Sequence, residues 1–235
     1  MKVGLFIDTW YPMVDGVIKV VDNYARRLIR YCDVVVFCPE TRGFDKEEDE
    51  KLPYKVIRCK SLPIIKNDYD LPTPALDPKF EAQLILSGID LDKVAAMGQS
   101  CGGAQVLAVA HDPRIKTCLI FNSGMGEMAM SGASKESLAN LHQPMLYLNG
   151  GTADVACENA NGDWKRIKEV PVVKISTIDG HHGTYYEKHA GAYAVAARLW
   201  LNWQLKGKVG DSALFMNDEY GKMLHPDWVF DRKNW

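Results

Sequence analysis

The stretch VAAMGQSCGGAQVLAVAHDP, residues 94–113, decides how the chain is read. Val94 to Met97 have the length and composition of a short buried strand, and Gly103 to Ala110 place Ala, Val and Leu where one helix face would pack on a sheet. Between them stands Gly98-Gln99-Ser100-Cys101-Gly102. The order is strand, sharp turn, helix. A serine in such a turn sits in strained backbone at the carboxyl end of a strand, and small neighbours such as Gly98 and Gly102 let the helix come close. The pattern G-x-S-x-G alone is weak, because a chain of this length produces one by chance roughly once in ten to twenty sequences. Two readings of Ser100 therefore stand: a nucleophile, or a small residue in an ordinary strand-to-helix turn.

Outward from this stretch the chain alternates. On the amino side come a strand at Val3–Ile7, a helix at Val17–Tyr31, a strand at Asp33–Cys38, a charged loop at Arg42–Lys51 and a strand at Tyr54–Cys59. Apolar runs separated by helices indicate parallel strands. From Lys60 to Lys79, Pro63, Pro72, Pro74 and Pro78 impose an extended, irregular connection, and Pro78 suits the first turn of a helix running to about Leu86. On the carboxyl side follow strands at Lys116–Phe121, Met145–Asn149 and Val172–Ile178, with a helix near Glu158–Lys168 and a long one over His189–Leu205. On the long helix, Ala192, Ala196, Leu199, Trp200 and Trp203 recur at the spacing of a core-facing stripe. Trp228, Phe230 and Trp235 imply that part of the tail packs down.

The 235 residues suit one large α/β domain or two small ones, and the 28 basic against 30 acidic side chains leave a net charge of -2. No basic field exists to collect phosphates, so nucleic acid is not an expected partner. The opening apolar run is too short for a signal peptide and no run reaches membrane-spanning length, which points to a cytoplasmic protein without a membrane partner. Six cysteines lack any C-x-x-C spacing, so reduced thiols are expected rather than disulfides or zinc ligands. Neither a metal nor a cofactor is called for.

Residues 88–235 resemble the α/β-hydrolase superfamily, particularly esterase-like members with a GQSCGG elbow, through "IDLDKVAAMGQSCGGAQVLAVAHDPRIKT", "LYLNGGTADVACENANGDWKRI", "HHGTYYEKHAGAY" and "LWLNWQLKG". Residues 1–86 resemble something else. "MKVGLFIDTWYPMVDGVIKVVDNYARRLI", "YKVIRCKSLPI" and "LDPKFEAQLI" are similar to the opening of a GT-B glycosyltransferase of the retaining, glycogen-synthase-like type. The chain thus reads as a chimera, natural or designed. The expected architecture is α/β: segments 1–86 and 87–235 share one doubly wound, mostly parallel sheet of about seven strands, with helices on both faces. Topology allows Val3–Ile7 to pair directly with Val94–Met97, which would cover an otherwise bare edge.

A serine hydroxyl needs an imidazole to take its proton and a carboxylate to orient that imidazole, in the chain order Ser, acid, His. Asp154 follows a strand by five residues, and His181 and His182 follow another, so both loops leave the sheet at the edge that carries Ser100. The resemblance places the histidine at the first position of "HHGTY", favouring His181, with His182 as the alternative. Asp154 also reads as a plain turn residue, and Asp179, the rival acid, lies too close to the histidines. His111, His142, His189 and His225 read as a helix end, a loop, a helix start and the tail. One oxyanion donor would be the backbone N–H of Cys101, and the loop after Val3–Ile7, at Thr9 or Trp10, is the nearest source of a second. Met125, Met128 and Met130 read either as an adaptable wall over a pocket or as a surface loop. These readings predict slow hydrolysis of a small carboxylic ester. The alternatives are a recombined scaffold without efficient activity and residual sugar binding through Asp15-Gly16. The oligomeric state is left open.

Overall fold

The apolar run KVGLF forms β1 (Lys2–Phe6), and the first unit of the chain, Met1–Asp90, continues through α1 (Gly16–Leu28), β2 (Asp33–Pro39), α2 (Lys46–Glu50) and β3 (Lys55–Cys59). The computed structural model describes residues 2–64, 69–127, 129, 132–183 and 187–235, with the side chain of residue 189 left outside. The three strands are parallel in the order β1-β2-β3. β2 takes the centre because its continuous run Val34–Cys38 can be buried on both faces. α1 starts where Asp15 accepts a hydrogen bond from the Ile18 N–H at 2.8 Å.

The proline-rich connection is more ordered than its composition suggests. Part of it forms a short antiparallel ladder between β4 (Ser61–Pro63) and β5 (Asp70–Pro72). α3 (Pro78–Leu86) then begins with Pro78 in its first turn and Asp77 accepting from the Lys79 and Phe80 N–H groups. Its Phe80 and Leu84 join Val35, Phe37, Ile57 and Cys59 in one apolar cluster, which closes the core of this unit.

The second unit, Leu91–Trp235, runs through β6 (Val94–Gln99), α4 (Cys101–Val109), β7 (Ile115–Phe121), β8 (Met145–Asn149), α5 (Cys157–Arg166), β9 (Val172–Thr177), α6 (Gly191–Lys206), α7 (Ala213–Met216), α8 (Asp218–Leu224) and β10 (Trp228–Lys233). Its sheet has the order β10-β9-β8-β7-β6. Four strands are parallel, whereas β10 runs antiparallel to β9 and accounts for the packed tail. Ala104 and Leu107 of α4 and Ala160 of α5 cluster with Cys118, Ile120 and Tyr147 on one face. α6 covers the other, where Trp200 Nε1 donates to Thr117 Oγ1 at 2.7 Å and Tyr193 packs on Phe121. Neighbouring β7 residues pointing to opposite helices is the two-residue period of a strand buried on both sides.

The expected single sheet of about seven strands is corrected by this topology. The described strands form a three-stranded sheet, a five-stranded sheet and the small β4-β5 ladder, and β1 and β6 are edge strands of different sheets. Chain-crossing rules state which neighbours are permitted, but a ladder forms only where backbone donors and acceptors come into register. Among the described residues no helix is long and apolar enough to cross a membrane, and no group of three or more His, Cys, Asp or Glu side chains could hold a metal ion.

Candidate active site

Ser100 joins β6 to α4 with no intervening loop, at φ 55 and ψ -123. A non-glycine residue in that region stores strain of roughly 1–3 kcal/mol and persists only where its surroundings hold it. Here the end of β7 does so. The Ser100 N–H donates to the Phe121 carbonyl at 3.0 Å, and Ser123 Oγ donates to the Ser100 carbonyl at 2.6 Å. A Cβ on Gly98 would lie 2.1 Å from the Gly102 carbonyl oxygen, so β6 and the start of α4 can meet this closely only at a glycine. The second obligatory glycine is Gly103, whose Cβ would lie 2.4 Å from the Ser123 side chain. Gly102, expected from the sequence to serve beside Gly98, has open space around it.

The acid and the histidine arrive on two loops pressed backbone to backbone. A Cβ on Gly150 would fall 2.3 Å from the His181 carbonyl oxygen, and one on Gly151, at φ 69, would fall 2.2 Å from that of Thr177. This contact fixes the separation of the loops. Asp154 Oδ1 lies 2.7 Å from His182 Nδ1, and His182 Nε2 lies 3.0 Å from Ser100 Oγ. With its proton on Nδ1, His182 donates to the carboxylate and accepts from the serine hydroxyl. The Asp154 side chain is fully buried while that of His182 is 31% exposed, so the acid is shielded and the imidazole faces the open side.

Burial pushes the Asp154 carboxyl up. The Gly150 and Ala156 N–H groups, the Asn122 amide and His182 outweigh that effect, and the group titrates below its ordinary range. Its contribution to stability is therefore present above the unfolded-state value and is lost as pH falls through the lower folded-state value.

The structure thus brings Ser100, Asp154 and His182 together and leaves His181 out, a correction to the histidine favoured from the sequence. His181 is exposed, and its Nδ1 accepts from the Gly183 N–H at 2.9 Å. The reason is the close pass of Gly150, which commits the His181 backbone to the acid loop. Cys101 opens α4, where first-turn N–H groups have no intrahelical acceptor. Thr9 and Trp10 belong to the first unit: Thr9 Oγ1 is bonded to the Met13 sulfur, and the Trp10 carbonyl accepts from the Met13 N–H and the Thr41 hydroxyl.

No family model and no curated protein matches the chain. Among solved structures, the esterase domain of a Rhodothermus marinus protein is similar to it, at 16% sequence identity and a TM-score of 0.45, with 84% of each chain covered.

Of the Met-rich segment, Met128 and Met130 lie outside the described residues, and Met125 is buried in the core rather than forming an open wall. Its N–H donates at 2.8 Å to Asp163, a buried α5 carboxylate that burial pushes up to about 6 against the bonds from Met125 and Tyr147. His111 Nδ1 lies 3.0 Å from the Ala108 carbonyl, the His142 main-chain N–H donates to Gln143 Oε1, and His225 stacks on Trp228. Sequence reasoning missed Asn122 and Ser123. Their signal was present: two polar residues directly follow a buried strand that ends at the sheet edge carrying Ser100.

Proposed function

We propose that the second unit is a serine hydrolase acting on small carboxylic esters through Ser100, His182 and Asp154. The observation that carries this reading is the unbroken chain from Ser100 Oγ to His182 Nε2 at 3.0 Å and from His182 Nδ1 to Asp154 Oδ1 at 2.7 Å, built on a strained serine at a strand end. His182 Nε2 takes the hydroxyl proton as Oγ bonds to the ester carbonyl carbon. The carbonyl π pair moves onto oxygen, where the Cys101 N–H is an oxyanion donor. Collapse of the tetrahedral adduct breaks the carbon–alkoxy bond, and His182 returns the proton to the leaving alcohol. Water repeats the sequence on the acyl-serine, releasing the acid and restoring Ser100. Asp154 remains a carboxylate and stabilises the imidazolium.

A fluorophosphonate probe should label the wild-type protein at Ser100, and p-nitrophenyl acetate should be turned over by it but not by a folded Ser100→Ala variant. Equal rates for the two proteins, or label on another residue, would remove this reading in favour of a scaffold without serine chemistry.

A further inference from the structure

Asn122 follows β7 directly, is fully buried and has φ 45, a left-handed backbone that asparagine tolerates better than most residues. Its amide nitrogen donates to Asp154 Oδ2 at 2.7 Å and approaches the His181 carbonyl at 3.3 Å. Those partners lie 32 and 59 residues away in the chain, so this is not the local cap an asparagine usually makes at a strand end. One NH2 group therefore ties the acid to the backbone immediately before His182. The division of the carboxylate is also informative. Oδ1 faces His182 and the Ala156 N–H, while Oδ2 is held by Asn122 and the Gly150 N–H.

A carboxylate turns about its Cβ–Cγ bond in a broad, shallow well, so its rotation is set by what its oxygens accept. Without the amide, Oδ2 would keep one donor and the link to the His181 carbonyl would vanish. Both changes loosen the line from Oδ1 to the imidazole, and small misplacements of a reacting group are costly in rate. Asn122 touches none of the atoms that react.

We infer that Asn122 is a positioning residue: it fixes the rotation of the Asp154 carboxylate and ties the acid to the loop that carries His182. The inference rests on the hydrolase reading above, and the test separates the two. Asn122→Gly keeps the left-handed backbone without strain and deletes the amide. Asn122→Asp keeps the shape but replaces the donor with a carboxyl facing Asp154. Circular dichroism and thermal melts check that each folds.

On p-nitrophenyl acetate, Asn122→Gly should lower kcat roughly ten- to a hundredfold, the worth of a lost hydrogen bond to a charged group, with KM nearly unchanged. Asn122→Asp should lose at least as much at pH about 8 and recover relative to wild type as the pH falls toward about 5.5, where the introduced carboxyl gains a proton it can donate. A purely structural asparagine would show no such recovery. In proton NMR, the low-field resonance of the His182 Nδ1–H should shift upfield in Asn122→Gly. Wild-type kcat and an unmoved resonance in a folded variant would overturn the inference. Absence of label on wild-type Ser100 would instead overturn the hydrolase reading, and the resonance, which needs no turnover, would still decide the role of Asn122.

Discussion

Each unit contains a parallel strand followed by a helix, and the two turns are built in opposite ways. In the first unit the chain takes nine residues, 7–15, to pass from β1 to α1, and the Asp15 side chain satisfies the helix start. In the second, β6 passes into α4 through Ser100 alone, at positive φ and with no side-chain cap. The first arrangement is a conventional cap, in which the Asp15 side chain takes one of the orphan donors, the Ile18 N–H. The second is strained, and no side chain caps its first turn, whose Gly103 N–H turns back onto the Ser100 carbonyl at 2.9 Å.

Two acids, one partly buried and one fully buried, differ as well. Asp49 of the first unit meets Arg58 through two bonds of 2.7 and 3.0 Å. Asp163 of the second is more deeply buried, and its nearest cation, on Arg166, stands 3.9 Å away. A buried charge without a close partner is costly, whereas a bidentate guanidinium offsets much of the penalty. The second unit thus holds a strained turn at Ser100 and, in its core, a buried acid without a close cation, whereas the acid of the first unit is closely paired.

The largest effects are expected at the strained helix start. Ser100→Ala should reduce ester turnover at least about a thousandfold and leave the melting temperature close to wild type. Next in size, Gly98→Ala sets a methyl 2.1 Å from the Gly102 carbonyl oxygen, so the elbow must open. The expected loss is about 3 kcal/mol, the upper end for overpacking, and urea unfolding would measure it. A melt like wild type would show that the turn is looser than its geometry implies.

Asp163→Asn removes the buried acid that lacks a close cation. The folded protein holds this proton up to about pH 6, whereas the ordinary value is 3.8. Between those values the folded state binds more protons than the unfolded state, so stability falls as pH rises through the window and stays lower above it. The asparagine variant keeps an acceptor for the Met125 N–H and carries no charge. It should lack that slope and be more stable than wild type at neutral pH by roughly 2 kcal/mol, read from denaturant melts on both sides of the window. Smallest is Asp15→Ala, which removes the cap of α1 and should cost about 1 kcal/mol with the rate on p-nitrophenyl acetate unchanged. A fall in that rate would mean that the first unit contributes to the chemistry.

What could be read from the chain alone was whatever depends on near neighbours. Alternating apolar runs announced the α/β class, Pro78 marked the start of α3, and Gly98 to Gly102 announced a tight strand-to-helix turn, because period, cap and turn act within a few residues. Everything that separates one rim side chain from the next was settled by distant backbone. Gly150 presses on His181 and leaves His182 to bridge residues 28 and 82 positions away, and Ser123, not the elbow itself, makes Gly103 a second indispensable glycine beside Gly98. Asn122 has no local signature for the two loops it joins. The division of the parallel strands between two sheets and the antiparallel return of β10 likewise depend on which ladders come into register. Register and side-chain direction are properties of packed pairs, and a sequence names only one member of each pair at a time.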